Sequence, residues 1–493
     1  MAMHISRPAR WRIASLTAVH LLIAAHLIHW RLAGRTLSSI QLSEAGRITA
    51  EGVATAGLFS MLLVIVTTAI FGRFFCAWGC HMLAFQEVCR FILRRLGIRP
   101  KLLRFRFLWI IPAAACLHVF FQPLVERWWF GEPLLAFHLE LSSDNVWANL
   151  PGPFVGALTF AVCGLAMVYF MGSLSFCKYV CPYAPLFSFA DRLSLGRIRL
   201  VGDCDGCARC TAACTTGVRV HEEVALNSMV ASHDCMRCFE CVSACPQKSL
   251  AYRLGRPSCT NRRVVAPPVY PLSGREELLL LAVFGVGLAA LNGLYDAAPL
   301  LLAAGGGLMA GYATVLLVRL EQRSFVILRG WVLKDAGRVT KAGWSFVGVS
   351  LLLFALLGQS LFVQFHQARA TIVMRDLGFP QALGSLTATQ IASANTAVGH
   401  LVDSQRYGLF DTFDQNMRLA WLYRRLAQPR QIEAYLRRAI AIDPRQAAAH
   451  FNLGKELQRQ GRSREARQAF AEAERLEPSL KPVMPVELNL ARR

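Results

Sequence analysis

The stretch CMRCFECVSACP, Cys235 to Pro246, decides how this chain is read. It sets four cysteines in the spacing C-x2-C-x2-C-x3-C and closes on a proline, and the same spacing occurs upstream in CDGCARCTAAC, Cys204 to Cys214. Thiolates are soft ligands that hold iron in tetrahedral sulfur sites, and a tight loop carrying three of them grips three corners of a cubane. The fourth corner comes from a distance. In two-cluster proteins with this spacing the last cysteine of each run serves the other cluster. That rule assigns Cys204, Cys207, Cys210 and Cys245 to one [4Fe-4S] centre, and Cys235, Cys238, Cys241 and Cys214 to a second. Thr215 stands where the second run has Pro246, a difference in the turn and not in the ligands. Structural zinc uses two separated C-x2-C pairs rather than runs of four, and disulfides are disfavoured in a reducing compartment.

The rest of the chain is apolar. Of 493 residues 54% are hydrophobic and 17% charged, with a mean hydropathy of +0.38. Seven stretches approach or exceed the length that crosses a bilayer as helix, near residues 13–30, 53–71, 107–122, 154–174, 278–294, 299–318 and 345–364. The formal charge of +22 clusters beside these runs, where basic residues set membrane orientation. The reading is therefore a lipid-embedded chain that binds no nucleic acid. Residues 87–106 carry seven bases (Arg90, Arg94, Arg95, Arg99, Lys101, Arg104, Arg106) against one acid, and residues 319–344 carry six against two. The loop 123–152 has Arg127 alone against Glu126, Glu132, Glu140 and Asp144. Counting bases in short loops puts the first two loops in the cytoplasm and the third outside; the three arginines of 31–51 dissent mildly. Seven crossings of a bacterial inner membrane then leave the cysteine-dense insert cytoplasmic and the C-terminal region periplasmic.

Four regions follow: 1–199, a membrane domain; 200–260, the two-cluster insert; 261–365, further membrane helices after the linker NRRVVAPPVYPLSG; and 366–493, a soluble helical domain. In the last, Leu453, Gly454, Leu457, Ala466, Phe470, Ala473 and Pro478 fall at the offsets of a tetratricopeptide unit, and Leu419, Ala420, Tyr423, Ala439 and Pro444 repeat the pattern upstream. Two visible units are fewer than such arrays need, so helices from 380–415 or a partner must cover the open face. The expected fold is mostly α: a polytopic helical membrane bundle of about seven crossings, an inserted bacterial two-[4Fe-4S] ferredoxin-like module, and a C-terminal tetratricopeptide-like helical domain.

A second pair of motifs ends two of the crossings. GRFFCAWGCHMLAF carries Cys76 and Cys80, and SLSFCKYVCPYAPLF carries Cys177 and Cys181; Phe75 aligns with Phe176, and His81 with Pro182. Two crossings ending in F-C-x3-C form an internal repeat. A spacing of four places both thiols of a pair on one face of a helix, so four sulfurs could converge for redox chemistry, metal binding or packing. The other cysteines, Cys89, Cys116, Cys163 and Cys259, carry no spacing signal and read as small buried residues. His20, His26 and His29 on the first crossing, with His118 and His138, are where haem, copper or a quinol would bind, or are simply hydrogen-bonded. Ala303, Gly307 and Gly311 mark close helix packing.

The segments GRFFCAWGCHMLAFQE, SFCKYVCPYAPLF and the two cysteine runs, over roughly residues 10–260, resemble the membrane polyferredoxins. That group includes the NapH type of periplasmic nitrate reduction, the NosR type of nitrous oxide reduction and the CcoG type of cytochrome oxidase assembly. The resemblance implies that Cys76, Cys80, Cys177 and Cys181 lie at the cytoplasmic face beside two [4Fe-4S] clusters. It further implies electron transfer toward a periplasmic acceptor, or reduction of copper during oxidase assembly. His81 departs from the family proline, and the last three crossings and the repeats are not part of the nitrate type. With no nucleophile, base pair or phosphate loop evident, the expected role is an electron-transfer component rather than a stand-alone enzyme. It would relay electrons between a cytoplasmic or quinol pool and a periplasmic redox protein or oxidase subunit held by the repeats; the rival role is a copper-handling or copper-reducing assembly factor.

Overall fold

The computed structural model describes residues 6–98, 100, 102–131, 133, 135–143, 152–260, 270–378, 386–477 and 480. Arg99, Lys101, Glu132, Asp144, Pro478 and most of the 261–274 linker lie outside the described residues. The chain divides into two compact units, residues 1–284 with 304–347, and residues 285–303 with 348–493.

The fold is mostly helical. Each of the seven apolar stretches forms a helix, and four of these are long and apolar enough to cross a membrane: Arg7–Ala33, Pro153–Met171, Leu300–Gln322 and Lys341–Asp376. The other three are shorter or more charged, as Ala56–Phe71, Ile110–Phe120 and Gly274–Leu291. Ile110–Phe120 stops early, and a separate helix, Gln122–Phe130, follows with Pro123 in its first turn. Arg7–Ala33 shows how sequence sets an end: Ser6 Oγ accepts from Ala9 N, Pro8 occupies the first turn, and Gly34 at φ +70° closes the helix. Trp11, Leu21, Leu22, Ile28 and Leu32 of this helix are exposed, which suits lipid as surroundings. At the expected small-residue face, a Cβ on Gly311 would meet Leu280 O at 2.5 Å, so two helix backbones are nearly in contact there.

The cysteine-dense insert is built on a two-stranded antiparallel sheet, Gly196–Leu200 against Leu250–Leu254, with Gly196 opposite Leu254 and Leu200 opposite Leu250. Two five-residue helices, Arg209–Ala213 and Glu240–Ala244, follow the cysteine loops. Ile198, Val218, Val220, Val224, Val230 and Leu250 make its core, into which Cys210 and Cys241 also point.

In the second unit four helices, Phe413–Arg425, Pro429–Ile442, Ala447–Arg459 and Ser463–Leu476, form two antiparallel pairs. Leu453, Leu457, Ala466, Phe470 and Ala473 are buried together with Ala420 and Leu436. A Cβ on Gly454 would meet the Phe470 ring at 2.9 Å, which explains the glycine of the repeat. Helix Ala388–Tyr407, started by a Thr387/Gln390 capping box, covers the open end with Ala394, Ala397 and Leu401 against Leu419 and Leu422.

Candidate functional site

The eight run cysteines are divided between two cavities of the insert. One is lined by Cys204, Cys207, Cys210 and Cys245, together with Asp203, Asp205 and His221. The other is lined by Cys214, Cys235, Cys238 and Cys241, together with Met236, Arg237 and Phe239. Each takes three cysteines from one run and the last cysteine of the other. None of the eight run cysteines is in a disulfide.

The loops share a backbone. Left-handed residues recur two, four and thirteen places beyond each first cysteine: Gly206, Ala208 and Gly217 in the first loop, Arg237, Phe239 and Lys248 in the second. Four of the six are not glycine, and each such residue costs about 1–2 kcal/mol. Strain repeated at matching places is held by what the loop wraps.

The surroundings differ. Cys204 and Cys207 are exposed, whereas the second cavity has no exposed cysteine. Burial pushes the Cys238 thiol up to about 12, although Arg12 works to lower it. Burial and the neighbouring Cys235 and Cys238 drive Cys241 well above the usual thiol value. Thiols in such a place ionise only with added positive charge, which bound iron supplies. The donor sets therefore fit [4Fe-4S] centres: four soft ligands per cavity, unpaired, with apolar walls around the second. Among the described residues no three His, Cys, Asp or Glu side chains gather as a single-ion site.

The second loop is tied to both F-C-x3-C turns. Trp78 Nε1, between Cys76 and Cys80, donates to Arg237 O at 3.1 Å, and Lys178, between Cys177 and Cys181, pairs with Asp234 at 2.6 Å. Met236 and Cys238 pack with Cys76, Cys80, Cys177, Ala77 and Leu83. The Trp78 ring stacks on Phe74 (5.1 Å, 6°) and lies 5.8 Å from Phe239. Burial pushes Cys80 up to about 11 and Cys181 up to about 12, Cys76 adding to the first shift and Cys80 to the second; burial, with Cys80, Cys181 and Cys76 nearby, also raises Cys177 well above the usual thiol value. The four thiols are thus mutual neighbours, with Arg73 the cation among them.

Two expectations are corrected here. The paired thiols do not share one continuous helix. Phe74–Trp78 and Ser175–Tyr179 each end before the second cysteine, because Gly79 caps the first and Pro182 follows Cys181. Cys89, Cys116 and Cys163 are buried as expected, but Cys259 is exposed in the short turn Ser258–Thr260 beyond the sheet. Of the histidines, His20 bonds Leu16 O, His29 bonds Thr36 Oγ1, His118 bonds Gln122 and His138 lies 3.5 Å from Ala136 O, so hydrogen bonding accounts for them. Buried His26 Nε2 has no such partner.

A buried charge network, which carries no spacing signal in the sequence, completes the site. Asp191, fully buried, accepts from Arg237 Nη2 at 2.7 Å, Arg197 Nη2 at 3.4 Å and Arg73 N at 3.2 Å. Burial works to lower the Arg237 guanidinium, but Cys235 and Asp191 overrule it and leave it raised. Burial and Arg237 bring Arg197 down to about 10, still charged at neutral pH.

Comparison with known proteins points to the same regions of the chain. Residues 197–246 match a family model described as a 4Fe-4S dicluster domain, residues 53–99 and 153–200 each match a 4Fe-4S binding domain, and residues 435–468 match a tetratricopeptide repeat. An uncharacterised protein of Methanocaldococcus jannaschii is 28% identical over 202 residues, 40% of this chain and 71% of its own length. The ferredoxin-type protein NapH of Haemophilus influenzae is 25% identical over 236 residues, 43% of this chain and 75% of NapH. YccM of Escherichia coli K12, provisionally assigned to electron transport, is 28% identical over 114 residues, 23% of this chain and 29% of YccM. No solved structure matches the chain. Cysteine runs, matched domains and relatives together define a polyferredoxin-like membrane protein of iron-sulfur electron transport, carrying two 4Fe-4S centres. It differs from a bare polyferredoxin in its C-terminal tetratricopeptide region, a module suited to holding another protein.

Proposed function

We infer that the chain relays single electrons between a cytoplasmic or quinol pool and a periplasmic redox enzyme. Cys204, Cys207, Cys210 and Cys245 would hold one centre, and Cys214, Cys235, Cys238 and Cys241 the other, in a cytoplasmic insert bounded by about 200–260. Cys76, Cys80, Cys177 and Cys181 would form the next station, at the ends of the crossings. Seven crossings put the tetratricopeptide region in the periplasm, where it docks the acceptor. The basic loops 87–106 and 319–344 support that orientation.

The observation that carries this reading is the packing of Met236 and Cys238 against Cys76, Cys80 and Cys177. One cysteine set thus abuts the thiols at the crossing ends, as a relay requires. A second reading, in which the chain handles or reduces copper for a respiratory oxidase, rests on the nearness of Cys76, Cys80, Cys177 and Cys181 to one another as redox groups, since among the described residues they do not gather as a single-ion site. Anaerobically purified protein separates the two: a relay gives reducible cluster EPR signals that reoxidise with a quinone. Stoichiometric copper lost on replacing Cys76 and Cys177, with clusters inert to quinone, would instead select the assembly role. For the ligand assignment, Cys241→Ser is expected to lose the centre beside the bundle ends and destabilise the insert. Retention of about eight irons per chain in that variant, four for each cysteine set, would contradict it.

A further inference from the structure

The two cysteine loops have matching backbones and place their charges differently: the cation of the exposed loop is Arg209, five places beyond its first cysteine, where the buried loop has Glu240, paired with Arg12 at 3.6 Å. At the position two places beyond the first cysteine, the exposed loop has Gly206 at φ +72° and the buried loop has Arg237 at φ +56°. The residue before is Asp205 in one and Met236 in the other. Among the described residues, the exposed cavity is lined by two carboxylates, Asp203 and Asp205, and by no lysine or arginine; the buried cavity is lined by Arg237 and by no carboxylate.

Arg237 is 0% exposed and turns back under its own loop. Nη1 donates to Cys235 O at 2.6 Å, Nε to Gly196 O at 3.2 Å, and Nη2 to Asp191 Oδ1 at 2.7 Å and Ser194 Oγ at 3.2 Å. Gly72 is shaped to admit it, since a Cβ there would meet the guanidinium at 2.6 Å. Arg197, also 0% exposed, shares Asp191, and Arg73 is 5% exposed with Nη1 on His233 O at 3.0 Å. Asp234 faces both Lys178 and Arg73, so Arg73, Arg197, Arg237 and Lys178 stand against Asp191 and Asp234, while Glu240 on the loop itself is matched by Arg12 at 3.6 Å. The surplus is positive, and it lies in the dry volume where salt and solvent screen least.

A 4Fe-4S centre gains one negative charge on reduction, and nearby charge is one of the levers on its potential. Burial by itself disfavours that extra charge, but a buried cationic surplus opposes the penalty at its source. On the exposed side Asp203 and Asp205 push the other way. We propose that Arg237, held by Asp191 and supported by Arg197 and Arg73, raises the reduction potential of the buried cysteine set above that of the exposed set. A single electron delivered to the exposed set at Cys204 and Cys207 by a one-electron donor then passes inward, so that the exposed set returns to its starting oxidised state and the buried set ends reduced by one electron. This rests on the reading that each set holds a [4Fe-4S] centre.

The test is an EPR-monitored redox titration of the anaerobically purified full chain in detergent, with iron counted beforehand. Two one-electron waves are expected. Arg237→Gln should lower the upper wave by about tenfold in the reduction equilibrium, ~59 mV, and leave the lower one in place. Arg237→Lys should restore most of the shift, and Asp205→Asn, on the exposed loop, should raise the lower wave alone. Arg237→Gln moving the lower wave or neither, with iron retained, overturns the proposal. Should that variant lose iron, movement of the upper wave in Asp205→Asn overturns it instead. A wild-type chain without about eight irons sinks the cluster reading first, and so separates the two failures.

Discussion

The cysteine loops at 204–217 and 235–248 are one backbone in two environments. Their left-handed residues match place for place, so the path of the chain answers to what the thiols enclose. The side chains at those places answer to position. At the first two places the solvent-side loop has Gly206 and Ala208, whereas the loop against the bundle ends has Arg237, which joins the Asp191 network, and Phe239, which joins the aromatic group of Phe74 and Trp78; at the third place the loops have crossed over, with Gly217 between Thr216 and Val218 of the buried cavity and exposed Lys248 between Gln247 and Ser249 of the other. Equal geometry with unequal surroundings is how a duplicated unit yields two electron sites that are not interchangeable.

The largest effect on this comparison is expected from Asp191→Asn. The carboxylate is the shared partner of Arg237 and Arg197, all three fully buried, and removing one member of a buried ion network typically costs about 3–5 kcal/mol because the other charges stay behind. Iron release under mild chaotrope, followed optically, should accelerate at the buried set before the exposed set. Equal acceleration at both would mean that the insert opens as one body.

A smaller effect is expected on the exposed side. Gly206 sits at φ +72° with nothing within 4 Å of where a Cβ would be, so Gly206→Ala tests backbone strain alone, about 1–2 kcal/mol. Circular dichroism melts should show a modest loss, and the buried-set EPR signal should be unchanged. If alanine is tolerated freely at Gly206, the strain carried at Arg237 is also less than its backbone angle suggests.

Much of this site was legible in the sequence, and the parts that were not share a physical reason. Three-and-one exchange of cysteines between runs follows from spacing, and the cavities group Cys245 with the first run and Cys214 with the second. The breaks after Trp78 and Tyr179 were also within reach, since Gly79 and Pro182 are ordinary helix stops. The Asp191 network was not. Its members come from four separate segments, and in a chain of formal charge +22 nothing local distinguishes Arg237 from a surface base. One signal was available: a non-glycine at the place where the sister loop has Gly206. The exposure of Cys259 escaped for a similar reason, because a lone cysteine has no partner pattern to place it.

The smallest expected effect isolates the joint between loop and bundle. Trp78 offers the buried loop two things, a ring against Phe74 and Phe239 and one hydrogen bond from Nε1 to Arg237 O at 3.1 Å. The exposed loop has Ala208 where Phe239 stands. Trp78→Phe keeps an aromatic ring and deletes the donor, which is worth about 0.5–1.5 kcal/mol. The loss falls on the carbonyl of the residue that carries the buried charge, so iron release should quicken slightly at the buried set and not at the exposed one, while both potentials hold. A shift of the upper wave in Trp78→Phe would show that Arg237 is positioned through its backbone as well as through Asp191.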